Sequence, residues 1–443
     1  MIRTGTRAAA AGLVGALTVL TSPPASAVTE PTVDASVQPP AGSTGPAVPM
    51  AQRGECVSSA LLPGTDVGIP SPNQVMLNLQ DAWRFSRGEG QTVAVIDTGV
   101  TPGPRLPNLS GGGDYVAATD GLTDCDGHGT MVAGIIAGRP GPDGFAGVAP
   151  EARLISIRQV SAKFAPRTPG EEPAVEIASL ARAVVRAADL GARVVNISAV
   201  TCLAAGETGD QSSLGAALRY AAVEKDVLIV AAAGNAVPMG LAGGAACQSN
   251  PDDWSGVAAV SVPSWWQPYV LSVGSVAGTG QPSAFTMSGP WLGLAAPGED
   301  ILSLSNTDGG LANGIPDERG RLGAVSGTSF AAAYVTGVAA LVRSRFPALT
   351  APQVVERLSA TAHNGARSPS NLVGAGTVDP VAALTWELPG SPPANTETRV
   401  AAPVPPAVLD KTPRNIALAG TGVLALLVAA IALSASRRKE HSR

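Results

Sequence analysis

The chain is 443 residues long, enough for one large domain with appendages or for two of average size. Its residues are 45% hydrophobic and 14% charged, with 52 glycines and 38 prolines, which suits an apolar, loop-rich globular body and argues against a disordered charged binder. The formal net charge is -5 and no basic block lies in the body of the chain, which argues against nucleic acid as a partner.

At the N-terminus, Arg3 and Arg7 precede an apolar run over residues 8–20 and then Ala25-Ser26-Ala27. A positive region, a short apolar core and a small-residue site read as a secretory signal over residues 1–27, cleaved after Ala27. The run is too short to span a bilayer comfortably. Residues 28–82 form an N-terminal extension. Pro, Ala, Ser, Thr and Val dominate residues 28–49, an extended arm. The short apolar runs that follow are broken by Pro63, Pro70 and Pro72, too small for a domain and suited to lying against one.

The regular fold begins at Gln91. Residues 92–97 are a continuous β-favouring run ending in Asp97-Thr98-Gly99, the pattern of a strand buried on both faces. A glycine-rich loop over residues 110–114 leads to Asp124-Cys125-Asp126-Gly127-His128-Gly129-Thr130, and residues 131–138 read as a buried helix beginning near His128. Residues 152–157 form a further strand. A loop rich in proline and charge, residues 161–173, precedes an amphipathic helix over 175–190, where Ile177, Leu180, Ala181, Val184 and Ala188 recur at helical spacing. Strands are expected at 193–198, 227–233 and 269–275, with a helix at 214–224. Val325-Ser326-Gly327-Thr328-Ser329 is a small-residue turn running into an alanine-rich helix that continues through Val342. A short helix over 352–361 follows, and residues 374–384 close the globular part. Strands alternating with helices over residues 83–386 predict an α/β fold, a doubly wound parallel sheet with helices on both faces.

Residues 387–413 are proline-rich with few large apolar side chains, a stalk. Residues 414–436 contain an uncharged apolar stretch long enough for one transmembrane helix. Arg437-Arg438-Lys439 then opens a short cytoplasmic tail, residues 437–443. With an export signal in front, the body lies outside. Cys56, Cys125, Cys202 and Cys247 all fall in the exported part, so two disulfides are expected in an oxidising compartment, with three pairings open. The absence of a C-x-x-C spacing leaves zinc without support.

In a parallel α/β sheet, strand C-termini and helix N-termini open on one edge, where ligands bind. Asp97 ends a strand, Asn235 follows another, and His128 and Ser329 begin two helices. Taken singly, Ser329 reads equally as a helix cap, Asp97 as a strand-end cap and Asn235 as a turn residue. Together they are the set that serine acyl transfer needs. Ser329 is the candidate nucleophile, His128 the base that takes its proton, and Asp97 the group that orients the imidazole. The Asn235 side-chain N–H and the Ser329 backbone N–H are the candidate oxyanion donors.

Val95-Ile96-Asp97-Thr98-Gly99, Gly127-His128-Gly129-Thr130 and Gly327-Thr328-Ser329-Phe330-Ala331 resemble the Asp, His and Ser boxes of the subtilisin-like serine peptidases, in that family's chain order. The whole layout, with Ala82-Trp83 before Gly90-Gln91-Thr92-Val93 and with Leu154-Ile155-Ser156-Ile157-Arg158-Gln159, resembles the mycosins, membrane-anchored subtilases of actinobacterial type VII secretion systems. The resemblance implies an endopeptidase acting on protein or peptide substrates at the extracytoplasmic side of the cell membrane, single-pass and associated with the secretion membrane complex. It implies an N-terminal extension that wraps the catalytic domain and is retained. It also implies that Ser198, Ala199 and Val200, and opposite them Ala231, Ala232, Ala233 and Gly234, flank the substrate as strand-like edges around the S1 pocket. Cys56–Cys125 and Cys202–Cys247 are the expected disulfides. No cofactor and no required metal are expected, since the calcium loops of secreted subtilisins are not evident. Met131 stands where many subtilases carry a second histidine. The alternative is a structural subunit of the secretion complex whose proteolysis is incidental.

Overall fold

Seven runs of small or β-branched apolar residues pair side by side: β1 (Thr92–Asp97), β2 (Leu109–Asp114), β3 (Arg153–Arg158), β4 (Val194–Ile197), β5 (Leu228–Ala232), β6 (Val270–Val276) and β7 (Leu292–Pro297). These come from a computed structural model that describes residues 28–170, 172–237, 246–250, 253–317, 319–363, 365, 370–390, 394, 419–428 and 430–431. The expected signal, residues 1–27, and the expected tail, residues 437–443, lie outside the described residues. The strand order is β7-β6-β5-β4-β1-β3-β2, and every neighbouring pair is parallel. The winding reverses between β1 and β4, which opens a crevice at their C-terminal ends.

Alternate side chains of β1 serve the two faces. Val93 and Val95 join one apolar cluster and Ala94 and Ile96 the other. The first cluster is covered by α1 (His128–Ala137) and, later in the chain, by the alanine-rich helix Thr328–Arg345. The second is covered by α2 (Glu172–Asp189) and α3 (Ser212–Arg219). We number the Thr328–Arg345 helix α4 and the following Ala351–Ala360 helix α5. All of α1 is buried, which explains why its sequence is apolar on every side rather than striped.

Several segments differ from their sequence pattern. Residues 110–114, expected as a glycine-rich loop, form most of β2, and the glycines are what let the strand fit. A Cβ on Gly112 would lie 2.5 Å from Ile155, and Gly113, at φ +129, has arm residue Thr44 against it. The proline-rich loop 161–173 contains a short strand, Phe164–Pro166, paired antiparallel with Met50–Gln52 of the arm. The unexpected β7 lies at the sheet edge, where Gly293 and Pro297 are tolerated. Helix α2 begins at residue 172 because Pro173 falls in its first turn, where a missing N–H breaks no helical bond.

The extension lies on the body along its length. Gly45 N–H donates to the Asp114 carbonyl at 2.8 Å and Val57 N–H to the Cys125 carbonyl at 2.9 Å, while the Gln74 side-chain N–H donates to the Ala146 carbonyl at 2.9 Å. Cys56 is bonded to Cys125 and Cys202 to Cys247. The chain divides into two units, residues 1–400 and 401–443. In the second unit the described residues, 419–428 and 430–431, are helical, with Val423, Leu424, Leu426, Leu427, Val428 and Ile431 exposed. Among the described residues no helix is long and apolar enough to cross a membrane, and the remainder of the expected 414–436 span lies outside them.

Candidate active site

Three chain segments meet at the C-terminal edge of β1. The strand ends on Asp97, and α1 begins with His128 because Gly127, at φ +75, turns the chain into it. Gly129 has no room for a side chain, since a Cβ there would lie 2.0 Å from the Gly99 carbonyl. The box around His128 thus packs directly onto the turn that follows Asp97. Ser329 lies in the first turn of α4.

His128 Nδ1 lies 2.7 Å from Asp97 Oδ1, and His128 Nε2 lies 2.9 Å from Ser329 Oγ. An ionised carboxylate only accepts, so the Nδ1 proton faces Asp97 and Nε2 is left bare to accept from the Ser329 hydroxyl. Asp97 is 0%, His128 2% and Ser329 7% exposed, so this chain of bonds is shielded from competing water. Burial pushes the His128 pKa down, but the charge and hydrogen bond of Asp97, joined by the charges of Asp124 and Asp126, outweigh it and hold the value above the ordinary 6.5. The Phe330 ring sits 5.0 Å from the imidazole, centroid to centroid.

Asn235 joins this group through Thr328. Thr328 N–H donates to Asn235 Oδ1 at 3.1 Å and its hydroxyl donates to the same oxygen at 3.2 Å. A backbone N–H can only donate, so the amide oxygen must face Thr328 and the amide nitrogen points away from it. Among the described residues neither that nitrogen nor the Ser329 backbone N–H has an acceptor. Two free donors beside a hydroxyl engaged by an imidazole can hold a developing oxyanion.

The expected substrate edges fare differently. Past the end of β4, Ala199 and Val200 are half-buried, and among the described residues their backbone groups have no hydrogen-bond partner, which leaves a free pairing edge. Ser198 is buried and its hydroxyl donates to the Ser329 carbonyl. The opposite run, residues 231–234, has most of its backbone groups engaged within the fold. Ala231 and Ala232 lie inside the sheet, with Ala231 in register with both Ile197 and Ser272. Ala233 N–H donates to the Val273 carbonyl, Gly234 N–H to the Thr328 hydroxyl, and the Gly234 carbonyl accepts from Met287 N–H. With most of their backbone groups already engaged, residues 231–234 offer a wall rather than a full pairing edge.

Asp124, to which the sequence pattern assigned no role, organises the turn before His128. Its carboxylate accepts from the Thr98 hydroxyl, Asp126 N–H and Gly127 N–H on one oxygen, and from the Thr130 N–H and hydroxyl on the other. It thereby caps α1 from outside the Ncap position. Burial raises its pKa to about 6, with the Thr130 and Thr98 bonds pulling down and the Asp97 charge adding to the rise. An acidic residue just ahead of a helix start was the available signal. Asn306 ties this turn to the arm, donating to the Asp124 and Val57 carbonyls and accepting from Ser59. Nothing in the sequence marks it.

Residues 88–376 match the Subtilase family. The chain is 60% identical over 440 residues to Mycosin-3 of Mycobacterium tuberculosis (strain ATCC 25618 / H37Rv), with 95% of each chain covered. A solved structure of the MycP3 protease from the type VII (ESX-3) secretion system matches with a TM-score of 0.78 and 67% identity, covering 81% of this chain and 100% of that one. A chain of an intact ESX-5 inner membrane complex matches with a TM-score of 0.77 and 44% identity, covering 92% of this chain and 100% of that one.

Proposed function

The chain belongs to the subtilase family and, within it, to the mycosins, serine endopeptidases, and we propose that Ser329, His128 and Asp97 carry its peptide-bond hydrolysis. The observation that bears this reading is the single imidazole hydrogen-bonded at once to Asp97 and Ser329, partners 31 and 201 residues away in sequence. As Ser329 Oγ attacks the substrate carbonyl carbon, its proton passes to His128 Nε2, and Asp97 stabilises the imidazolium without taking the proton. The carbonyl oxygen gains the negative charge and is held by Asn235 Nδ2–H and the Ser329 N–H. The C–N bond then breaks as Nε2 gives its proton to the leaving amine, and water releases the acyl group by the reverse sequence. The substrate backbone lies along Ala199 and Val200, with residues 231–234 as the facing wall.

The domain plan follows the same reading: residues 1–27 a signal peptide, 28–82 a retained extension, 83–386 the peptidase body, 387–413 a linker, 414–436 a single membrane anchor and 437–443 a cytoplasmic tail. The uncharged stretch over residues 416–435 and the exposed apolar side chains of its helical part support the anchor. One similar chain belongs to an ESX-5 inner membrane complex. By that likeness this chain works beside a type VII secretion complex, with its body on the extracytoplasmic side. The same likeness favours a second reading, a structural subunit whose proteolysis is incidental.

Deletion of the protein compared with Ser329→Ala separates the two. Equal loss of export, with neo-N-termini missing from the exported proteins of both strains by mass spectrometry, supports the enzyme role. Normal export with the substituted protein supports the scaffold.

A further inference from the structure

Strand β4 presents one polar side chain to an otherwise apolar face. Asn196 lies in register between Val95 of β1 and Val230 of β5, both members of the cluster under α4, and it is 0% exposed. A valine or leucine would pack there without the desolvation cost of a buried amide, roughly 1–3 kcal/mol when unpaired. The amide is paired at both its nitrogen and its oxygen instead. Asn196 Nδ2–H donates to Ser198 Oγ at 2.6 Å, and Thr336 Oγ–H donates to Asn196 Oδ1 at 2.9 Å. Ser198 Oγ–H in turn donates to the Ser329 carbonyl at 3.3 Å.

The direction of each proton follows from the ends of this chain of bonds. The Ser329 carbonyl only accepts, so the Ser198 proton is committed to it, and Ser198 Oγ must itself accept. Asn196 must then face Ser198 with its nitrogen and Thr336 with its oxygen, and Thr336 must donate. No rotor or amide flip gives another complete assignment. Thr336 and Ser329 lie seven residues apart, two turns along one face of α4. The amide therefore fastens β4 to that helix at two levels, and the free edge Ala199–Val200 begins one residue beyond the fastening.

We propose that Asn196 is a positioning residue that sets the register between the substrate-pairing edge at Ala199–Val200 and the nucleophile turn at Ser329, through Ser198 on one side and Thr336 on the other. The inference rests on the peptidase reading above. A peptide paired along that edge reaches Ser329 Oγ only if edge and nucleophile keep their spacing, and a misplacement of about 1 Å costs on the order of a hundredfold in rate. A substrate too short to pair finds its own position and is far less sensitive.

The test uses the full-length chain in detergent. A peptide that the wild-type chain cleaves is selected from a mixed peptide library, and a second version is cut back on its acyl side to the P1 residue alone. Asn196→Leu is expected to lower kcat/KM on the long peptide by about 100-fold, mainly in kcat, and on the short one by less than about tenfold. The advantage of length therefore shrinks. Thr336→Val, which leaves Ser198 bonded, shifts the same ratio by a smaller factor and serves if Asn196→Leu melts early in thermal unfolding. An equal fall on both peptides, or no fall on either with native-like melting, overturns the inference and leaves the peptidase reading standing. Failure of the wild-type chain to cleave any library peptide or to take up a fluorophosphonate sinks the peptidase reading and this inference with it.

Discussion

The turn that carries His128 and the turn that carries Ser329 both open buried helices, but they are fixed by opposite means. On the His128 side, donors converge on one acceptor: Asp124 collects the N–H groups of Asp126, Gly127 and Thr130 and the hydroxyls of Thr98 and Thr130. Asn306 and the Cys56–Cys125 disulfide add the arm to the same turn. On the Ser329 side one helix-start donor, the Ser329 N–H, has no acceptor among the described residues, while the Thr328, Phe330 and Ala331 N–H groups are engaged. That turn is held by the Ser198 hydroxyl on the Ser329 carbonyl, by Gly327 N–H on the Gly298 carbonyl, and by Thr328 on Asn235. The difference follows from the chemistry. An imidazole must be fixed in tautomer and orientation, so the donors of its turn are gathered onto a carboxylate. A nucleophile turn must keep the serine N–H free for charge that exists only in the transition state, so it is fastened through other atoms.

The largest effect falls on the imidazole between the two turns. His128→Ala removes the group both sides share, and kcat is expected to fall about a millionfold, a magnitude borrowed from a related subtilisin; a single-turnover peptide assay reads it. Asn235→Ala touches only the open-donor side. It is expected to lower kcat by about 10²–10³ with little change in KM, again on the subtilisin scale; a KM that rises as kcat holds would remove Asn235 from the oxyanion site. Asp124→Asn touches only the capped side. One amide oxygen cannot replace two carboxylate oxygens, so a stability loss of roughly 2–5 kcal/mol is expected in denaturant unfolding. The smallest effect is in pH. The reaction needs a neutral imidazole, and Asp97 holds the His128 pKa above 6.5. Activity is therefore lost as pH falls through that raised value, and kcat/KM at pH 6.5 should be under half its plateau. A midpoint below 6.5 would mean that burial, not Asp97, dominates.

What could be read from the sequence was what chemistry constrains most narrowly. Asp97, His128 and Ser329 each sit in a box whose neighbours are dictated by close approach, such as Gly129 against Gly99. The buried strand 92–97 announced itself by an unbroken β-favouring run. Segments whose role depends on distant partners could not be read this way. The glycines of β2 look like a loop until Ile155 and Thr44 show why nothing larger fits. Residues 231–234 look like a free edge until β6 and Thr328 are seen to engage their polar groups. Asn196 reads as an ordinary strand residue, because its two partners come from its own strand end and from a helix 140 residues away.

The central claim is that His128 activates Ser329 for acyl transfer. A fluorophosphonate reacts with an activated serine and stays bonded to its oxygen, so intact mass followed by peptide mapping tests the claim most directly. The full-length chain should gain one adduct, located on Ser329, and His128→Ala should gain none on the same timescale. An adduct on another serine, or equal labelling of Ser329 without the imidazole, would contradict the account.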